Sequence, residues 1–410
     1  MSASASTRPA PVPSLVLLSL AHAVIHAQSA VMPLIYPLVI LQFGLAERDI
    51  GLFIAITTAV GGGMQLFYGF LTRYVARPLL LGGGQLVFGG GLLLAGAASS
   101  VGQLLGAISV ARIGASPQHP VGNGLLSDAF PAERRGFAIS AHISGGNLGT
   151  VLVPFIGGAL LAAFSWQATL ALFAIPALVL GVAVVLAVRE DAGYRVAARR
   201  AGSVGEQLRS VIGRGDLRLI LGAALIAAGG RGLDIVAPFM VLYLGGELGF
   251  DQGTVRWLYA LLLVGAVVGP LLAGWLSDHV GRRRTLVVYY VLSAIGIVLF
   301  MAAGANLFLL APLLLPFGTA VFSESPVLQA YLADRASGPT RDVAFSVYFT
   351  FAFGIGAFWA FVIGSIVSSV GYMVAFSVMA ASYLAAATLL LAVRDSGGRP
   401  DTTGGPSEGA

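Results

Sequence analysis

Apolar runs of about 20 residues or more alternate with short polar breaks along nearly the whole chain, and twelve can be marked. They fall at 14–41, 49–71, 78–98, 102–126, 136–164, 167–188, 218–245, 253–276, 285–304, 306–331, 342–369 and 371–393. Each is long enough, as a helix, to cross a hydrocarbon layer of about 30 Å. The glycines and prolines inside these runs would count against helices in water. Membrane bundles tolerate and use them, because neighbouring helices re-satisfy the backbone and small residues let helices approach. The pattern predicts an all-α membrane protein of twelve spans.

Composition supports that setting. Hydrophobic residues make up 57% of the 410 and charged residues only 10%, against about 25% charged in an ordinary soluble domain. The chain lacks the charge to clothe a soluble core. All 23 basic residues are arginine, and their placement orients the spans. With the N-terminus inside, only Arg48 and Arg256 fall in outward loops, Arg112 and Arg231 lie within spans, and the rest are cytoplasmic. This bias places both termini in the cytoplasm of a multi-pass cell-membrane protein. The net charge of +5 therefore reports topology, and nucleic acid is not expected as a partner. The absence of cysteine excludes disulfides and thiolate metal sites.

Organisation follows from the spacing of the runs. Residues 1–13 form a short Ser/Ala/Pro segment, expected to be disordered and to precede an uncleaved first helix. Residues 14–188 and 218–393 each hold six spans. The Arg-rich stretch 189–217 links them, with Val204–Ile212 able to form a short amphipathic helix, and 394–410 reads as a disordered tail. The two halves echo each other. At a shift of 205, Gly274–Arg282 falls on Gly69–Arg77, Pro238 on Pro33, Arg231 on His26 and Glu324 on His119. At 206, Asp128 and Arg135 fall on Asp334 and Arg341. A repeat of this kind points to two similar bundles facing each other across a shared site.

The strongest local motif is Gly274-x3-Asp278-x2-Gly281-Arg282-Arg283-Arg284, after the eighth span. Asp278 lies four residues before Arg282 and close to the start of the ninth span, so it can pair with arginine and with a helix N-terminus, as a gate contact would. This string resembles the loop signature of the major facilitator superfamily, and with twelve spans and a half-length repeat the resemblance covers nearly the whole chain. The first-half copy departs from it: Arg73 falls on the acid Asp278 and Ala76 on the glycine Gly281. The resemblance makes Asp278, Gly281, Arg282, Arg73, Arg77, Asp128, Arg135, Asp334 and Arg341 gating candidates, with Asp128 or Glu133 able to supply the missing acid.

Polar groups within the spans are the clues to chemistry. A charge at a helix centre costs about 2.5–3.5 kcal/mol on insertion scales, so Arg112, Arg231, Asp234 and Glu324 should pair or line a wet cavity. They fall on spans four, seven and ten, and His22 and His26 on span one. The resemblance implies that these four spans line a central cavity. His22 and His26, at i,i+4, share one helix face, Arg112 and His119 roughly share another, and Arg231 and Asp234 at i,i+3 can form an ion pair. Histidine suits proton exchange near neutral pH. These seven residues are the candidate substrate and proton ligands.

Two further strings refine the class. Arg112-Ile-Gly114-Ala115 resembles the Arg-then-Gly motif of proton-coupled drug exporters, and Gly149-x4-Pro154-x2-Gly157-Gly158 the antiporter motif of span five. Read without the resemblance, the latter is a glycine packing seam with a proline kink. Gly114–Pro120, Gly145-Gly146-Asn147-Leu148-Gly149 and Phe351–Gly356 look like fosmidomycin-resistance-type exporters, although His26 stands where that group's acid is expected. What is expected is a monomeric secondary transporter in the lipid bilayer, moving a small amphipathic or anionic substrate against protons. An uptake symporter or uniporter is the alternative. No cofactor, no metal and no enzyme activity are expected, since no nucleotide loop and no His/carboxylate set at metal-site spacing occurs along the chain.

Overall fold

The computed structural model describes residues 11–130, 135–190, 194, 203–335 and 339–393. The described residues are almost wholly helical. The tail 394–410, the linker residues 191–193 and 195–202 and the first ten residues lie outside them, as do the side chains of Arg135 and Arg341. The helices are α1 (Pro11–Phe43), α2 (Glu47–Leu71), α3 (Arg77–Gly96), α4 (Val101–Ala115), α5 (Pro120–Ala129), α6 (Arg135–Ala163) and α7 (Trp166–Ala187). After the linker come α8 (Val204–Ile212), α9 (Gly215–Ala227), α10 (Ala237–Leu242), α11 (Gln252–Val280) and α12 (Arg282–Ala303). The chain ends in α13 (Leu307–Val321), α14 (Glu324–Arg335), α15 (Pro339–Phe349), α16 (Phe358–Val370) and α17 (Tyr372–Leu391).

Among the described residues, eleven helical stretches are long and apolar enough to cross a membrane. The run 102–126 differs from its expected form. It is not one helix, because a tight turn at Ser116–Gln118 separates α4 from α5. Pro117 and Pro120 each remove a backbone donor there, and a proline ring clashes with the preceding turn of a continuous helix.

Helix starts follow local chemistry. Side chains of Ser100, Ser165 and Asn306 accept from the backbone N–H of Gln103, Ala168 and Phe308. Asp251 caps α11 through Gly253 and Thr254, and bonds from the Thr254 side chain and these amides hold its carboxyl below the usual aspartate range. The Gly274–Arg284 string is less of a loop than its sequence suggests. α11 runs on through Asp278 to Val280, and Gly281 alone, at φ +99, turns the chain into α12. That backbone region is nearly closed to residues with a Cβ.

Packing inverts the arrangement of a soluble protein. Large apolar side chains such as Leu41, Leu186 and Phe308 point outward, as a lipid-facing surface requires. Small residues fill the helix contacts: α3 packs on α4 and α7, α1 on α6, α11 on α13 and α12 on α17. Contacts between the first and second halves run through α2 with α16, α6 with α11, and α1 with α10.

Candidate functional site

The helices that would bound a central site are broken at one level. α4 stops at the Ser116–Gln118 turn, and His119 precedes Pro120 at the start of α5. After α9, a turn at Ala228–Gly230 leads to Arg231, whose ψ of 131° leaves the helix before a wide turn at Gly232–Val236. α13 ends at Val321 and α14 begins at Glu324 itself. A second wide turn at Thr350–Gly354 interrupts the path from α15 to α16. Breaks of this kind are tolerated at membrane depth where they line a cavity.

A cavity of about 230 Å³ lies among these breaks, and its lining includes all seven polar residues singled out from the sequence: His22, His26, Arg112, His119, Arg231, Asp234 and Glu324. Its charged members are two arginines and two acids. Arg231 stands between both acids, its Nη1 3.8 Å from Asp234 and its Nε 3.7 Å from Glu324. These are ion-pair separations, too long for hydrogen bonds. The guanidinium also lies 4.2 Å from the centre of the Phe353 ring, a cation–π arrangement. Glu324 is buried, and its Oε2 has no hydrogen-bond partner. Arg112 Nη1 donates to Ser29 at 3.2 Å, and its Nε is buried without a partner. Thr58, Gln65, Thr150 and Phe349 also line the cavity. Sequence reading passed over them, although Thr58 and Gln65, seven apart on α2, share one face.

The histidines form one cluster. The ring of His22 sits 4.4 Å from His26, 4.7 Å from His119 and 4.5 Å from His142. His119 also stacks on Phe349, at 5.3 Å. No short-range spacing along the chain signals this, because the four come from α1, the α4–α5 break and α6. No His/carboxylate set at metal-site spacing occurs along the chain, but the fold brings His22, His26 and His119 together, each offering a nitrogen within 4.8 Å of the others.

The glycine string of α6 packs on α1. A Cβ on Gly145 or Gly146 would meet Ser19 or the His22 ring, and one on Gly149 would strike the carbonyl of Ala23. Gly157 lies against Val31 and Gly158 against Arg256, while Pro154 sits inside the helix and Asn147 lines the cavity. The seam reading accounts for these contacts.

The gating candidates gather at the linker end of the bundle. Arg77 is buried, donating to Asp128 and Glu190 at 2.7 Å each, with the Tyr194 ring 3.5 Å from its guanidinium. Arg282 bridges Asp278 at 2.5 Å and Asp334 at 3.1 Å. The repeat places Arg77 on Arg282 and Asp128 on Asp334, so both halves build one ion pair from matching positions. Arg73 instead lies over Phe70, 5.4 Å from the ring. At the opposite end the halves meet through Arg48 N–H to Ser368 (2.9 Å), Arg256 to the Gly158 carbonyl (2.8 Å) and Tyr259 to the Ala30 carbonyl (2.9 Å).

Comparison with known proteins agrees with this architecture. The Fosmidomycin resistance protein of Escherichia coli (strain K12) is 25% identical over 357 residues, 85% of each chain. The 4-hydroxybenzoate transporter PcaK of Pseudomonas putida is 24% identical over 371 residues, covering 81% of this chain and 80% of its own. The crystal structure of the nucleoside transporter NupG superposes with a TM-score of 0.76 at 12% identity, over 93% of this chain and 99% of that one, a likeness of fold. The profile of the Major Facilitator Superfamily matches residues 18–232 and again 219–409, and the chain is a membrane transporter belonging to that superfamily.

Proposed function

We propose that this transporter couples a proton on Glu324 to a small organic anion held by Arg231 and Arg112. The observation that carries this is the balance of charge in the cavity lining: Arg112 and Arg231 against Asp234 and Glu324. With both acids ionised the cavity is neutral. A proton on Glu324 frees one positive charge beside Arg231, and an anionic substrate restores neutrality. A buried charge is tolerated only when it is compensated, so proton and monoanion favour each other's binding, by linkage. The 4-hydroxybenzoate named for one relative is an anion of this class.

The rest of the reading follows the repeat and the arginine bias. Twelve spans, the broken α4–α5 stretch being the fourth, form two six-helix halves with both termini cytoplasmic, acting as a monomer. The halves rock about the cavity, with Arg77–Asp128 and Arg282–Asp334 on the cytoplasmic side and the Arg48–Ser368 and Arg256–Gly158 bonds on the outer side. Binding of proton and anion together makes the transporter a symporter. The competing reading, an antiporter exporting amphipathic compounds, draws on the α6 glycine string and on the likeness to a resistance protein.

The sign of proton flux separates the two. A thermal-shift screen of small carboxylates and phosphonates on purified protein supplies the probe, which is then tested in proteoliposomes. Symport gives proton entry together with the anion; proton movement against the anion overturns it in favour of antiport. Glu324→Gln should abolish accumulation driven by a pH gradient while leaving counterflow exchange. Driven accumulation that persists in the variant removes Glu324 from the coupling role.

A further inference from the structure

The histidine cluster is not used by the coupling reading, and its hydrogen bonding is unusual for a packed core. His22 Nδ1 lies 3.1 Å from the carbonyl of His142. A carbonyl only accepts, so Nδ1 carries the proton, and in the neutral ring Nε2 is left with a lone pair. That Nε2 is fully buried and has no hydrogen-bond partner. His26 Nδ1 lies 3.3 Å from Thr150 Oγ1; a hydroxyl can donate or accept, and with the proton on Nδ1 the His26 ring presents its lone pair at Nε2. Buried imidazole nitrogens left without donors cost free energy that ring packing does not return.

We propose that His22, His26 and His119 form a binding site for a first-row transition-metal ion of the zinc class, open on its fourth side to the cavity. Two histidines at i,i+4 on one helix face are a known way to hold one ion, and α1 presents that pair with His119 supplied by the α4–α5 break. The three donor atoms lie within 4.8 Å of one another. A tetrahedral ion with Zn–N of about 2.0–2.1 Å needs nitrogens about 3.3 Å apart, a closure within the reach of side-chain rotation. The outer partners fit as well. A ligating histidine usually donates its other N–H to a carbonyl or hydroxyl, which fixes tautomer and ring orientation. The His142 carbonyl and Thr150 stand at those places, and Gly146 leaves room for the His22 ring. Three neutral imidazoles suit Zn²⁺, Co²⁺, Ni²⁺ or Cu²⁺ better than Mg²⁺ or Ca²⁺. The remaining cavity charges balance, so the added dication is completed by an anionic ligand at the open position.

The test uses the full chain purified without a polyhistidine tag. Co²⁺ is titrated and followed by its visible absorption, and Zn²⁺ by calorimetry. One ion per chain is expected, with the intense absorption of a tetrahedral site. His119→Gln should lower affinity at least 100-fold. Thr150→Val, a positioning change that removes no ligand, should lower it about 10-fold and shift the Co²⁺ spectrum; it serves also if His119→Gln does not fold. His279→Gln, at an exposed histidine on α11, should change nothing. Absence of binding in the unaltered protein, binding undiminished in both His119→Gln and Thr150→Val, or loss of binding in His279→Gln each overturns the site. Glu324→Gln removes no metal ligand, so the stoichiometry of one ion per chain and the tetrahedral Co²⁺ spectrum should persist while driven accumulation is lost, and failure of the coupling reading and failure of the metal site are told apart.

Discussion

At the scale of the residue, Arg77 and Arg282 show how matching positions acquire different weight. The 205-residue echo made them and their acids legible as counterparts. Their burial was not legible, because it depends on Glu190 and Tyr194 closing over Arg77 from beyond α7, with no local pattern to announce it. Arg77 is 2% exposed and its partners Glu190 and Asp128 6% and 48%, whereas Arg282 is 23% exposed and its partners Asp278 and Asp334 61% and 53%. Breaking a buried charge network costs about 3–5 kcal/mol, and an exposed pair contributes about 0–1 kcal/mol. Arg77→Ala should therefore lower the melting temperature in detergent sharply, while Arg282→Ala changes it little and acts on the rate of transport instead. Thermal unfolding of both variants in one detergent checks this, and equal losses would refute the distinction.

Eleven of the twelve apolar runs have a helical stretch at nearly the same bounds, since helix ends in water-facing turns carry caps and charge. The breaks inside them were not legible. Apolar windows 218–245, 306–331 and 342–369 read as unbroken, because glycine and small residues recur throughout membrane helices whether or not the helix stops there. The run 102–126 read as unbroken too, although Pro117 and Pro120 lie at its break. Yet these breaks bring Arg231, Asp234, Glu324 and His119 to one cavity, where short-range spacing along the chain suggested only the pairs. Glycine meaning is likewise decided by the neighbour. Gly149 lies against the Ala23 carbonyl of α1, while Gly90 in α3 has open space about its Cβ position. Gly149→Ala should push α1 from α6 and cost about 1–3 kcal/mol through overpacking. Gly90→Ala should be neutral or stabilising by up to about 1 kcal/mol, from helix propensity. Melting curves of the two variants test this; a Gly149→Ala protein as stable as the unaltered one would show that the seam yields.

At the scale of the whole molecule, a symmetric frame carries unlike chemistry: histidines in the first half stand where Arg231 and Glu324 stand in the second. On the rocking reading proposed above, the halves separate at one end while meeting at the other, so the bonds now joining them open in each cycle. The Arg48–Ser368 contact and the close α2–α16 packing around Gly51 and Gly364 join the halves at the end remote from Arg282. The chain contains no cysteine, so thiols introduced there react alone. Arg48→Cys with Ser368→Cys, bridged by a short bis-maleimide, should hold that end shut and abolish net transport and exchange alike, because both need the cavity to face either side. Each single variant treated with the same reagent should retain activity, and the double variant left unbridged should too. Substrate binding, read by thermal shift, should survive the bridge, since the cavity itself is untouched. Transport continuing at its normal rate through a fully bridged protein would mean that this joint does not open in the cycle, and that access to the cavity alternates by a motion other than rocking of the halves.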